Sequence, residues 1–198
     1  GDSGHADAHT VNLSTAYGGK AGDDTIVAGD GDDTVSGGSL AKGHYAVADT
    51  HNTATTNGSA GNDVISAGEG HNLVAGDAQA IGDYAGAYGD NLAYGLAVPT
   101  AGADTITSGE GDDTISSGAQ AVGAVSAHAE QSNTAHDGPI PIAGSDSIEA
   151  GEGENVVAGD AQAISSGGTA EAYGDNVAYG GAIPEAGNAI INTGDYGD

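Results

Sequence analysis

Apolar positions in this chain recur in two registers. Short β-branched runs such as Thr25-Ile26-Val27 and Thr105-Ile106-Thr107 are bounded by Gly and Asp, which predicts brief strands between turns. Longer stretches alternate at period two. Ile115, Ser117, Ala119, Ala121, Gly123, Val125, Ala127 and Ala129 fall on one face, and Val74, Gly76, Ala78, Ala80 and Gly82 give the matching face one unit earlier. Alternation of this kind predicts strands with one buried side. That side holds little larger than alanine, so it builds no thick core, yet two such faces can close on each other at native density.

The pattern is periodic on a larger scale. AGDDTI (21–26), AGNDVI (60–65), AGADTI (101–106), AGSDSI (143–148) and AGNAII (186–191) place a corner glycine at 22, 61, 102, 144 and 187. Another glycine follows each after seven residues, at 29, 68, 109, 151 and 194, and an acid comes directly after that. An asparagine precedes each corner, at 12, 52, 91, 133 and 176. A disordered acidic chain has no reason to keep such offsets. The period predicts an all-β fold, a flattened parallel β-solenoid of about five coils of ~41 residues, rising ~4.8 Å per coil. Residues 1–198 then form one repeat domain, with coils starting near 21, 60, 101, 143 and 186, and 1–20 and 186–198 as partial coils.

Composition supports a thin fold. Of 198 residues 37 are Gly and 37 are Ala, while Phe, Trp, Met, Cys and Arg are absent. Two lysines face 29 acids, a formal net charge of −27. That charge repels nucleic acid and anionic membranes, and no apolar run approaches the ~18 residues of a membrane span. Without cysteine there is no disulfide framework and no thiolate chemistry. No Ser–His–acid set stands out from the acidic repeats, so the chain reads as not an enzyme. The seven histidines share no repeated register and read as exposed polar residues. Tyr88 matches Tyr173, and Tyr94 matches Tyr179, which suggests packing ladders. Asp77, Asp160, Asp90 and Asp175 lie outside the corners and read as exposed turn acids, with extra cation positions as the alternative.

Stacking coils puts like charges in columns. Asp30, Glu69, Glu110, Glu152 and Asp195 superpose at one corner, and Asp24, Asp63, Asp104 and Asp146 at the other. Carboxylates ~5 Å apart repel by roughly 1–3 kcal/mol per pair, so such columns need protons or bridging cations. Carboxylate and carbonyl oxygens are hard ligands suited to Ca²⁺, and the lack of Cys and of repeated His argues against a soft metal.

AGDGDDTVS (28–36) and SGEGDDTIS (108–116) resemble the GGxGxDxUx nonapeptide of RTX, or haemolysin-type, calcium-binding repeats. The resemblance implies several Ca²⁺ ions held between successive coils, with the motif Asp at Asp24, Asp33, Asp63, Asp104, Asp113 and Asp146 as ligands. Asn72 and Asn155 take that place in two second corners and Ala189 in the last first corner. A plain roll of the family has about 18 residues per coil, so each unit here carries about 23 more. The resemblance further implies a secreted or cell-surface protein of a Gram-negative bacterium.

Neither end of the sequence reads as a cap. TGDYGD (193–198) aligns with AGEGHN (67–72), and GDSG (1–4) with GDAQ (76–79), so about three residues separate the end of one copy from the start of the next. The start at Gly1 without Met reads as a processed product or a fragment. The expected function is structural: head-to-tail self-association into an extracellular filament, matrix or surface layer. The alternatives are an extender region of a calcium-stiffened adhesin, and a secretion or carbohydrate-associated module of a larger enzyme. Polysaccharide or a cell surface is a further candidate partner.

Overall fold

Short β-branched runs between turns cannot bury a face alone, and here each finds its copy one coil away. The computed structural model describes residues 4–43, 45–56, 58–95, 98–110, 113–137, 141–151, 155–166, 169–179, 185–187 and 189–193. Its strand pairings are parallel, and each joins a residue to its counterpart in the adjacent unit. Thr25 pairs with Val64, Val64 with Thr105, Thr105 with Ser147 and Ser147 with Ile190. Those steps are the spacings of the corner glycines. The fold is a parallel β-solenoid.

Three sheets are built from short strands. One stacks Lys20–Ala21, Ser59–Ala60, Thr100–Ala101, Ile142–Ala143 and Glu185–Ala186; the next Thr25–Val27, Val64–Gly68, Thr105–Ser108, Ser147–Gly151 and Ile190–Thr193. The third stacks Thr34–Ser36, Leu73–Ala75, Thr114–Ser116 and Val156–Ala158. The fourth sheet is long, running through His5–Ser14, Tyr45–Ala54, Gln79–Tyr94 and Gln120–His136 to Gln162–Ser165 and Thr169–Tyr179.

Within a coil the long stretch folds back on itself. The Ser39 N–H donates to Thr50 Oγ1 at 2.9 Å, and Ser39 Oγ to the Asp49 carbonyl at 2.7 Å. The fold closes alanine on alanine: Ala41, Ala46, Ala48, Ala80, Ala87, Ala121 and Ala129 share one buried cluster. The period-two face is therefore bent rather than continuous. Ile115, Ala119, Ala121, Ala127 and Ala129 point inward, whereas Val125, at the bend, is 45 % exposed. Between Gly82 and Tyr84 the register also slips against the next coil, which absorbs the unequal unit lengths there.

Two further clusters complete the apolar interior. Val35, Ile65, Val74, Ile106, Ile115 and Ile148 form an aliphatic one, and Ala21, Ala54, Ala60, Ala93, Ala101, Ala135 and Ala143 a second alanine one. A buried Ile contributes about 1.5–3 kcal/mol and a methyl on the order of 0.8, so the aliphatic cluster is the strongest per residue.

Polar ladders are buried as well. Asn12, Asn52, Asn91, Asn133 and Asn176 form a continuous column, each amide nitrogen donating to the next amide oxygen at 2.8–2.9 Å. Gln79, Gln120 and Gln162 repeat this at 2.8 Å. The corner glycines serve the asparagine column. Gly61 has φ +60°, and a Cβ there would stand 2.0 Å from Asn91 Oδ1, so the position requires glycine twice over. The aromatic columns outside are mixed: Tyr45 stacks on Tyr84 at 4.8 Å, Tyr94 on His136 at 5.2 Å, and His128 lies between Tyr88 and Tyr173. Tyrosine and histidine thus share columns that neither residue type shows alone.

Candidate metal centre

From Asp63 and Asn72 onward each motif side chain does the same local job. Its oxygen accepts the backbone N–H of the motif residue one coil earlier. At the first corner Asp63 Oδ1 accepts from the Asp24 N–H at 2.8 Å, Asp104 Oδ1 from Asp63 at 2.7 Å, and Asp146 Oδ1 from Asp104 at 3.1 Å. At the second corner Asn72 Oδ1 accepts from the Asp33 N–H at 3.1 Å, Asp113 Oδ1 from Asn72 at 2.9 Å, and Asn155 Oδ1 from Asp113 at 2.9 Å. These bonds fix the carboxylates in two columns.

The remaining oxygens differ. Asp113 Oδ2 accepts from Ser108 Oγ at 2.6 Å and Asp146 Oδ2 from Ser117 Oγ at 2.7 Å. Asp33 Oδ2 and Asp63 Oδ2 are buried and accept no hydrogen bond. A buried carboxylate oxygen without a donor is costly, and a cation removes that cost. At Asn72 the equivalent atom is Nδ2, which donates to the carbonyls of Gly68 at 3.1 Å and Gly70 at 3.2 Å.

Burial and mutual repulsion set the electrostatics of the first column. Desolvation first, then the charge of Asp77, pushes the Asp63 carboxyl up to about 8. Asp104 is held well above its ordinary value by burial and by Asp77, Asp63 and Asp146. Burial raises Asp146 to about 7, against hydrogen bonds from the Asp104 N–H and Ser117. In the chain alone these groups hold protons near neutral pH. A divalent ion placed among them takes the protons' place and cancels the repulsion.

The remaining expected ligands are exposed or lie outside the described residues, Asp24 among them although it heads this column. Asp24, Asp30, Glu69 and Glu110 are exposed, at the outer rim of the corners. Glu152 and Asp195 lie outside the described residues. Asp63, Asn72, Asp104, Asp113, Asp146 and Asn155 are buried. Where the first column reaches Ala189 in place of Asp, an open hollow of about 700 Å³ borders Asp104 and Asp146.

One residue belongs with the interior rather than with the turns. Asp77, expected as an exposed turn acid, is 1 % exposed. It accepts from Asn91 Nδ2 at 2.9 Å and Gln131 Nε2 at 2.8 Å, and burial still pushes it up to about 7. Asp160 is its half-buried counterpart, accepting from Asn176 Nδ2 at 3.1 Å. Asp90 and Asp175 are exposed as expected, but they stand within the long strands Gln79–Tyr94 and Thr169–Tyr179 rather than in turns.

The corners also match a known pattern. Four copies of the RTX calcium-binding nonapeptide repeat align with residues 19–39, 57–80, 100–121 and 143–163, each spanning both corner motifs of a coil. The chain carries RTX repeats. It is a calcium-binding repeat module, and the RTX corners are where the buried Asp columns lie. RTX repeats are typical of secreted bacterial proteins. No curated protein and no solved structure matches the chain.

Proposed function

We propose that this RTX chain is an extracellular, non-catalytic structural protein that calcium folds and that head-to-tail stacking extends into a filament, matrix or surface layer. The observation that carries this reading is the nature of the coil edges. Among the described residues His5–Ser14 pairs on one side, with Tyr45–Ala54, and at the other end Thr169–Tyr179 and Ile190–Thr193 pair backwards. Among the described residues nothing covers either edge. Every coil is already complementary to its neighbour in strand register and amide ladder, so the last coil of one copy suits the first coil of another. The ions act between coils, with Asp24, Asp33, Asp63, Asp104, Asp113 and Asp146 as the motif ligands. They also neutralise charge that otherwise keeps copies apart.

Electron microscopy and sedimentation of the purified 198-residue protein, in millimolar Ca²⁺ and in EDTA, test the proposal. Unbranched, calcium-dependent assemblies one solenoid wide are expected. A folded monomer in calcium at every concentration tried overturns it, and leaves the extender region of a longer adhesin as the better reading.

A further inference from the structure

We propose that the outer face of the long sheet carries a second kind of metal site, formed by His9, Asp49 and His51 and suited to Zn²⁺ or a similar divalent transition metal. The strand register creates it. His9 lies opposite Asp49, and Val11 opposite His51. Residues two apart share a face of a strand, so the three side chains leave the sheet from one patch.

The Asp49 carboxylate sits between two imidazoles. Its Oδ2 is 3.2 Å from His9 Nδ1 and its Oδ1 is 3.0 Å from His51 Nδ1. One ligand atom from each of the three residues lies within 4.8 Å of the others. A tetrahedral Zn²⁺ with bonds of about 2.0–2.1 Å spaces its ligand atoms by roughly 3.3 Å; each imidazole nitrogen already stands at a similar distance from one of the two carboxylate oxygens.

His51 supplies the independent observation. Its Nδ1 is buried and makes no hydrogen bond, despite its distance from Asp49. The other ring nitrogen, Nε2, lies 3.3 Å from Asp90 Oδ2 on the next strand. A carboxylate behind one nitrogen orients the ring and holds its proton, leaving the opposite nitrogen for a metal. A hollow of about 250 Å³, lined by Asp49, His51, Tyr88, Gly89, Asp90 and Glu130, leaves room beside the site for water or an outside ligand.

Two imidazoles and a carboxylate suit zinc, copper or nickel, whereas calcium takes oxygen throughout. The site is thus chemically separate from the corners. The simpler alternative is a pair of His–Asp ion pairs, and pH tells the two apart. Ion pairs form as the imidazoles protonate, but metal binding needs them neutral. The charged groups facing the patch are Asp7 on the first strand, Asp49 on the second, Asp90 on the third and Glu130 on the fourth.

The test is a titration of the full chain with Co²⁺ and then Zn²⁺, at pH 7.5 in excess Ca²⁺ so that the corners are saturated. One Co²⁺ per chain with tetrahedral ligand-field absorption, displaced by Zn²⁺, is expected. The signal disappears in the His9→Ala, His51→Ala double variant, persists in His71→Ala, and weakens roughly 10–100-fold in affinity in Asp90→Asn. If the double variant loses its β-sheet circular dichroism, His9→Gln on the exposed edge strand carries the comparison. Absence of Co²⁺ binding, binding that survives the loss of His9 and His51, or binding that strengthens from pH 8 to pH 6 overturns the proposal.

Discussion

The two corner columns share a hydrogen-bond geometry and differ in charge. The first runs Asp24, Asp63, Asp104, Asp146; the second runs Asp33, Asn72, Asp113, Asn155. In both, a side-chain oxygen accepts the N–H of its counterpart one coil earlier, at 2.7–3.1 Å. Asparagine builds that ladder as well as aspartate does. The ladder alone therefore does not call for the unbroken run of carboxylates at the first corner, where burial first, and neighbouring carboxylates after it, raise Asp63, Asp104 and Asp146. The second column shows the cheaper solution, in which the amide nitrogen of Asn72 bonds to the turn carbonyls. The excess charge of the first column points to a bound cation.

The largest expected effect follows from removing that cation. Asp63, Asp77 and Asp146 have folded-state values of about 8, 7 and 7 against 3.8 in the open chain. Between those limits the folded chain holds protons that the unfolded chain releases. Without calcium, stability is therefore greatest below about pH 4, falls as pH rises, and is lost by pH 8 to the extent of several kcal/mol. Thermal melts followed by circular dichroism in EDTA are expected to show β-structure at pH 5 that collapses at pH 8. Millimolar Ca²⁺ restores it at pH 8. A pH-8 melt indifferent to EDTA removes the need for a cation and with it the contrast between the columns.

Exchanging the chemistry of the columns comes next. Asn72→Asp gives the second corner the charge run of the first and deletes the donors to Gly68 and Gly70. Its expected cost in EDTA at pH 8 is about 1–3 kcal/mol, with calcium binding gained. Asp104→Asn breaks the first run in its middle, where burial and the charges of Asp77, Asp63 and Asp146 hold the carboxyl well above its ordinary value, and is expected to do the reverse: a higher melting temperature in EDTA and fewer ions bound. Calorimetric titration with Ca²⁺ reads both variants. Equal responses from the two erase the distinction.

Much of this was legible in the sequence, for a specific reason. A parallel solenoid pairs each residue with its own copy, so the spacing of the corner glycines is the strand register itself. What periodicity misses is a chain that doubles back. Val125 keeps the parity of Ala121 and Ala127 yet sits at the bend, and parity carries no sign of a fold. The asparagine marker was visible as a repeat, but its amide ladder exists only where stacked side chains meet. Asp77 read as a turn acid because it stands outside the corner motif. Yet GDAQAI recurs unchanged at 76–81 and 159–164, a signal that more than a loop was being repeated. His9 and His51 share no register because their meeting is diagonal, one coil and two residues apart.

The asparagine column allows a control indifferent to calcium. Asn91 donates to Asn133 and Asp77 and accepts from Asn52. Asn91→Ala leaves buried partners unpaired, at an expected cost of about 1–3 kcal/mol. That cost should be nearly the same in calcium and in EDTA, because the lost bonds are neutral or charge-assisted contacts inside one ladder. Urea melts in the two conditions measure it. A loss confined to EDTA ties the ladder to the ion column instead.

The smallest effect is expected at the rim. Glu69 is exposed beside the second corner, while Asn72, three residues on, is buried. If the ions are held by the buried motif residues, Glu69→Gln removes only a nearby charge, which solvent and salt screen strongly. Stability in calcium should then move by less than about 0.5 kcal/mol. Calcium affinity should fall slightly at low ionic strength and not at all at high, because a rim acid helps to gather cations without ligating them. A salt-independent loss of affinity as large as that of Asp104→Asn places Glu69 in the coordination shell. The rim and the buried column then act as one site, and the division of labour between them disappears.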